Sequence, residues 1–137
     1  NLRWRFSIHP LHRYTVLQAR RNGDLTGYLV MTARELMGMP ATVIVDLCVL
    51  NEAKETALDL IGEAAQLASA EGSMLLATQV IAKSPESAAF LRSGFLPVPN
   101  KINPKPFMMV AHVYHDVAMP ALQGQNWAFG WSDMDVV

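Results

Sequence analysis

Residues 41–81, "ATVIVDLCVLNEAKETALDLIGEAAQLASAEGSMLLATQVI", narrow the folds open to this chain more than any other stretch. "ATVIVDLCVL" is β-prone and apolar on both faces. Strict alternation puts Val43, Val45, Leu47 and Val49 on one side and Ile44, Cys48 and Leu50 on the other. A strand with no polar face belongs inside a sheet, covered on both sides. Asn51 then suits an N-cap, and Glu52 and Glu55 suit the positive end of a helix. Leu58, Ile61, Ala65 and Ala68 recur at helical spacing, with Ala57, Leu60, Ala64 and Leu67 widening the stripe. The spacing predicts a helix over about 52–70 that stops near Gly72. "SMLLATQVI" (73–81) is strand again. A strand, a helix of this length and a second strand make a right-handed crossover, with the strands as parallel neighbours.

The flanks add antiparallel elements. In "YTVLQARRNGDLTGYLVMTAR" (14–34), two β-prone runs surround Asn22-Gly23, the preferred pair for a tight hairpin. "LMGMP" (36–40) is a second turn, so the strand at 41–50 follows the hairpin as a third strand. "SPESAAFLRSGF" (84–95) has Ser84 as N-cap, Pro85 at the first helical position and Gly94 as terminator, a helix of about two turns. "LPVPNKINPKP" is proline-broken loop, with a short edge strand expected at 95–98. "PFMMVAHVYHD" (106–116) reads as a closing strand. The order is β-β-β-α-β-α-(β)-β. The class is α/β (α+β): a mixed, mostly antiparallel sheet with one parallel β-α-β crossover and a short second helix.

At 137 residues the chain is expected to form a single domain over 1–137, with a lead-in segment at 1–13 and a C-terminal tail at 117–137. Its residues are 51% hydrophobic and 17% charged, with a net charge of −1. That balance leaves no electrostatic footprint for nucleic acid or an anionic membrane. No apolar run reaches the roughly 18–20 residues of a membrane span. "NLRWRFSIHP" lacks the apolar core of a signal peptide, and a single cysteine builds no disulfide framework, so a cytoplasmic setting is expected. The first residue is not Met, and with the apolar surplus this reads as a domain that has lost, or expects, a neighbour.

The order of elements, with "SAAFLRSGF" before the last strands, resembles the GNAT (Gcn5-related N-acetyltransferase) superfamily. The family's "A..(F/Y)…GF" pattern is met by Ala88, Phe90, Gly94 and Phe95. "LRWRFSIHPLHRY" and "NWAFGWSDMD" are similar to the flanks, "WR…P…Y" and "W…GD.D", of the C-terminal unit in bacterial proteins with two GNAT-like units. The resemblance implies an N-acyltransferase that passes an acyl group from acetyl-CoA or another acyl-CoA to a small-molecule or peptide amine. No metal is expected, and the partner expected is a second copy in a homodimer or a second GNAT-like domain. In that family the cofactor lies where two parallel strands splay apart. Its pyrophosphate meets backbone N–H groups at the start of the intervening helix. The implied cofactor contacts are Leu47, Cys48, Val49 and Leu50 along the strand. Ala53, Lys54, Glu55, Thr56 and Ala57 follow at the turn, with Ser84 and Phe90 on the short helix.

The turn departs from the family. Where members have "(Q/R)xxGx(G/A)", this chain has Glu52, Glu55 and Ala57, and only Ala57 conforms. A side chain at residue 55 obstructs close approach of backbone to phosphate, and carboxylates repel it. Phe90 stands where many members carry a tyrosine that protonates the departing thiolate. The rival expectation is therefore a catalytically inactive, degenerate GNAT-fold domain that binds, dimerises or scaffolds.

Asp46 is the first candidate for chemistry. A carboxylate flanked by apolar strand residues is costly, and its pKa should rise. The resemblance implies a general base toward the acceptor amine; the plainer reading pairs it with Arg5, Arg13, Arg20 or a strand-end amide. His112 and Tyr114 share one face of the closing strand and are a second acid/base candidate, against the commoner structural histidine. No Cys/His/carboxylate set has ligand spacing, and "WSDMD" lacks the glycine and distal glutamate of a calcium loop. Met31, Met37, Met39, Met108 and Met109 read as core filler. Cys48 reads as an inert thiol, its pKa raised by apolar flanks.

Overall fold

The computed structural model describes residues 13–50 and 54–99. Strands β1 (Tyr14–Arg21), β2 (Asp24–Leu36) and β3 (Met39–Val49) form an antiparallel meander. Helix α1 (Lys54–Ala70) then leads to β4 (Leu75–Thr78), which pairs parallel with β3, and helix α2 (Pro85–Arg92) follows. Among the described residues the sheet order is β1-β2-β3-β4. The meander and the parallel return are those expected from the sequence. The expected strand at 73–81 is only four residues long, and 95–98 has no regular structure. The closing strand at 106–116, the N-cap Asn51, the lead-in segment up to residue 12 and the tail lie outside the described residues. Among the described residues, no helix is long and apolar enough to cross a membrane.

Both hairpin turns need two consecutive residues at positive φ: Asn22 (54°) with Gly23 (92°), and Met37 (54°) with Gly38 (76°). That backbone matches the right-handed twist of the strands it joins. Met37 is not the core filler expected; it is 78% exposed at the tip of the second turn, whereas Met31 is buried.

Helix α1 covers one sheet face with Ala57, Leu60, Ile61 and Ala64, which are buried against Leu17, Leu29, Met31 and Ile44, and Ala68 further along the helix is buried as well. The stripe is rotated from the one expected, since Ala65 is exposed. Burying branched side chains such as Leu60 and Ile61 contributes about 1.5–3 kcal/mol each. On the opposite face Val30, Val43 and Val45 form a second buried cluster, with Tyr14, Tyr28 and Leu36 packed on it.

Both helices end in the same stop. In α1, Ser73 N–H donates to Ala68 O and Gly72 N–H to Ser69 O, with Gly72 at φ 82°. In α2, Phe95 N–H donates to Phe90 O and Gly94 N–H to Leu91 O, with Gly94 at φ 90°. This pair of reversed bonds satisfies carbonyls the helix leaves open, and it favours an apolar contact between the residues it joins. Phe90 and Phe95 make that contact edge-to-face, ring centroids 5.0 Å apart.

Candidate functional site

The ladder between β3 and β4 runs only from Ala41↔Leu75 to Ile44↔Thr78. Thr78 closes it by donating its hydroxyl to Ile44 O at 3.1 Å. Strand β3 continues to Val49, so its last five residues run on with no β4 partner. At this point β3 also carries a bulge. Met31 pairs with Ile44 but Val30 pairs with Asp46, which leaves Val45 as the extra residue.

The bulge corrects the alternation read from the sequence. Val43 and Val45 face the second cluster, but Leu47 and Val49 cross over and pack toward α1 alongside Ile44. Without the extra residue, the register set at the Met37-Gly38 turn would place Asp46 opposite Leu29, inside the apolar layer under α1. With it, Asp46 lies opposite Val30 on the other face and is only half-buried.

The same register assigns the backbone groups. Leu50 N–H donates to Thr26 O at 3.0 Å, so residue 50, and by two-residue alternation residue 48, direct their polar groups at β2. Leu47 and Val49 therefore direct their N–H and C=O groups the opposite way, to the edge that β4 leaves open. Gly27 lets α1 start close above this edge. A Cβ at that position would lie 2.8 Å from Val49 Cγ1, 3.1 Å from Cys48 O and 3.3 Å from Thr56 Cγ2. Glu55 in the first turn of α1 is exposed, Thr56 half-buried, and Ala57 buried.

Asp46 accepts a hydrogen bond on Oδ2 from the Tyr28 hydroxyl at 3.0 Å. The sequence reading did not pair these two; Arg20, one partner it named, donates instead to Gly23 O and Gln18 Oε1. Cys48 lies beside them and is exposed, not interior as its apolar flanks suggested. Its thiol pKa is raised, first by partial burial and then by the Asp46 carboxylate, with Glu86 of α2 adding to the rise and the Tyr28 hydroxyl opposing it. At neutral pH the sulfur stays protonated and is a poor nucleophile.

Ser84 is 3% exposed and caps α2. Its Oγ accepts from Ser87 N–H at 3.1 Å, and its carbonyl accepts from the Ser87 hydroxyl at 2.8 Å. Phe90 is also 3% exposed, inside the main core. Of the strand residues, Leu47 and Val49 thus pack in one cluster with Ala57, and Val49 and Thr56 flank Gly27, whereas the Cys48 side chain is on the other face of the sheet. His112, Tyr114, Glu52, Ala53 and the side chain of Lys54 lie outside the described residues. Tyr28, Thr78 and Gly27 were missed. Tyr28 precedes Val30 by two positions, so an alternation count on β2 could have found it, but only with the bulge known.

No protein family and no curated protein is matched by the sequence. Solved structures are matched by shape. A protein of Pyrococcus furiosus described as an acetyl transferase superposes with a TM-score of 0.56 at 17% identity, over 69% of this chain and 66% of that one. A ribosomal-protein-alanine N-acetyltransferase of Brucella melitensis biovar Abortus 2308 gives a TM-score of 0.51 at 19% identity, over 74% and 70% of the two chains. An aminoglycoside acetyltransferase from an uncultured soil metagenomic sample gives 0.50 at 20% identity, over 74% and 64%. At these identities the likeness is one of fold.

Proposed function

We propose that this chain, which has the GNAT fold, is an N-acyltransferase that moves an acyl group from acyl-CoA to a small-molecule or peptide amine. The reading is supported above all by the open run of β3 past Ile44, where Leu47 and Val49 turn their polar backbone groups outward below the start of α1. A pantetheine arm is an extended chain carrying amides, and such a chain pairs with an exposed strand edge as another strand does. The residues present fit that arm. They fit its phosphates less well, because the exposed Glu55 carboxylate stands in the first turn of α1, where helix N–H groups would otherwise attract an anion.

Bound acyl-CoA supplies the acyl group activated as a thioester. The chain supplies orientation and a proton acceptor. Packing of Leu47 and Val49 against the α1 layer holds the edge straight. An amine must lose a proton to attack, and the half-buried Asp46 carboxylate on the neighbouring face is the group to accept it. Cys48, held as a thiol, does not compete as nucleophile.

Calorimetry with acetyl-CoA and desulfo-CoA tests this reading. Binding near 100 μM would stabilise the fold by about 1.4 kcal/mol at 1 mM ligand. Glu55→Gly is expected to tighten CoA binding several-fold by removing a carboxylate and a Cβ from the turn. Silence at millimolar CoA would overturn the acyltransferase reading. A second reading, binding without chemistry, is favoured by Glu55 and by Phe90, whose buried ring carries no proton to give a leaving thiolate. It predicts no acetyl transfer to diamine or peptide probes, whether or not CoA binds.

A further inference from the structure

We infer that Tyr28 is the positioning residue of Asp46, fixing the plane of its carboxylate and favouring its ionised form; this rests on the acyltransferase reading only for what the carboxylate is used for. Tyr28 lies opposite Cys48 and Asp46 opposite Val30, so the two side chains are diagonal neighbours on the sheet face away from α1. The Tyr28 ring packs on the buried Val30, Val43 and Val45 cluster, which holds the ring while its hydroxyl reaches Asp46 Oδ2 at 3.0 Å. The Val45 bulge brings the carboxylate to this face at all. A phenol that donates to a carboxylate stabilises the charged form, and charge-assisted bonds of this kind are among the stronger ones. Among the described residues, Cys48 on the same strand stands beside the pair, and Glu86 at the start of α2 joins Asp46 in acting on the Cys48 thiol.

Tyr28→Phe keeps the ring and removes only the donor. Carbon-detected NMR titration of the Asp46 carboxyl is expected to show its midpoint about one pH unit higher in Tyr28→Phe than in the unaltered protein. An unchanged midpoint overturns the inference. Cys48, the one cysteine of the chain, gives an independent readout through the pH dependence of its iodoacetamide alkylation. The thiol is expected to titrate higher in Tyr28→Phe, where the opposing hydroxyl is gone, and lower in Asp46→Asn, where the carboxylate's push is gone. A Tyr28 that only fills space would move neither titration. Neither readout uses CoA or turnover, so an inactive protein would count against the acyltransferase reading alone.

Discussion

Gly27 is the residue at which sheet and helix are fitted to each other. Nothing in "DLTGYLV" marks it as special, because its requirement comes from Val49 and Thr56, 22 and 29 positions away by numbering, and from the Cys48 carbonyl. Gly27→Ala would push a methyl into Val49 Cγ1, on a β-branched side chain with little rotamer freedom, and toward a backbone oxygen that cannot move without breaking the β2–β3 ladder. The expected cost is about 1–3 kcal/mol, read as a lower urea midpoint at unchanged m-value. Asp46 makes the same point about legibility. Its residue type and its place in an apolar strand were readable, but its face was not. Alternation has no way to register one extra residue, and the Val45 bulge is visible only in the pairing with β2.

Local elements were more legible where backbone chemistry is self-contained. Asn22-Gly23, Ser84-Pro85 and Gly94 each act within a few residues, and the hairpin, cap and stop they imply are all present. The stop on α2 also shows how Phe90, Gly94 and Phe95 work together: glycine takes the left-handed position and the two rings close across it. In this chain that pattern is a structural device. The second turn was located correctly, but its occupant was misjudged. Met37 sits at φ 54°, a conformation that costs an L-residue about 1–2 kcal/mol, and with 78% exposure it recovers little by packing. Met37→Asn is therefore expected to stabilise the protein by up to about 1 kcal/mol, seen as a higher thermal midpoint. Helix α1 shows the opposite limit, because an alanine-rich stripe leaves its rotation to be decided by the sheet it meets.

For the whole molecule, the crossover from β3 through α1 to β4 was the readable part, since three consecutive elements of the right length permit few arrangements. What the sequence could not convey was where β3 and β4 part company. The parting depends on a four-residue β4, on Thr78 closing the ladder against Ile44, and on a bulge at the next position of β3. Together these leave Leu47 and Val49 with polar groups directed at an edge that no strand among the described residues covers, and it is this edge to which the acyltransferase reading assigns the pantetheine arm. Backbone amide NMR with desulfo-CoA tests that edge most directly. On adding the ligand, the Leu47 and Val49 amides are expected to shift and to exchange with solvent more slowly, while the Cys48 and Leu50 amides, turned toward β2, exchange as before. Leu47 and Val49 amides that neither shift nor gain protection at millimolar desulfo-CoA would contradict the account.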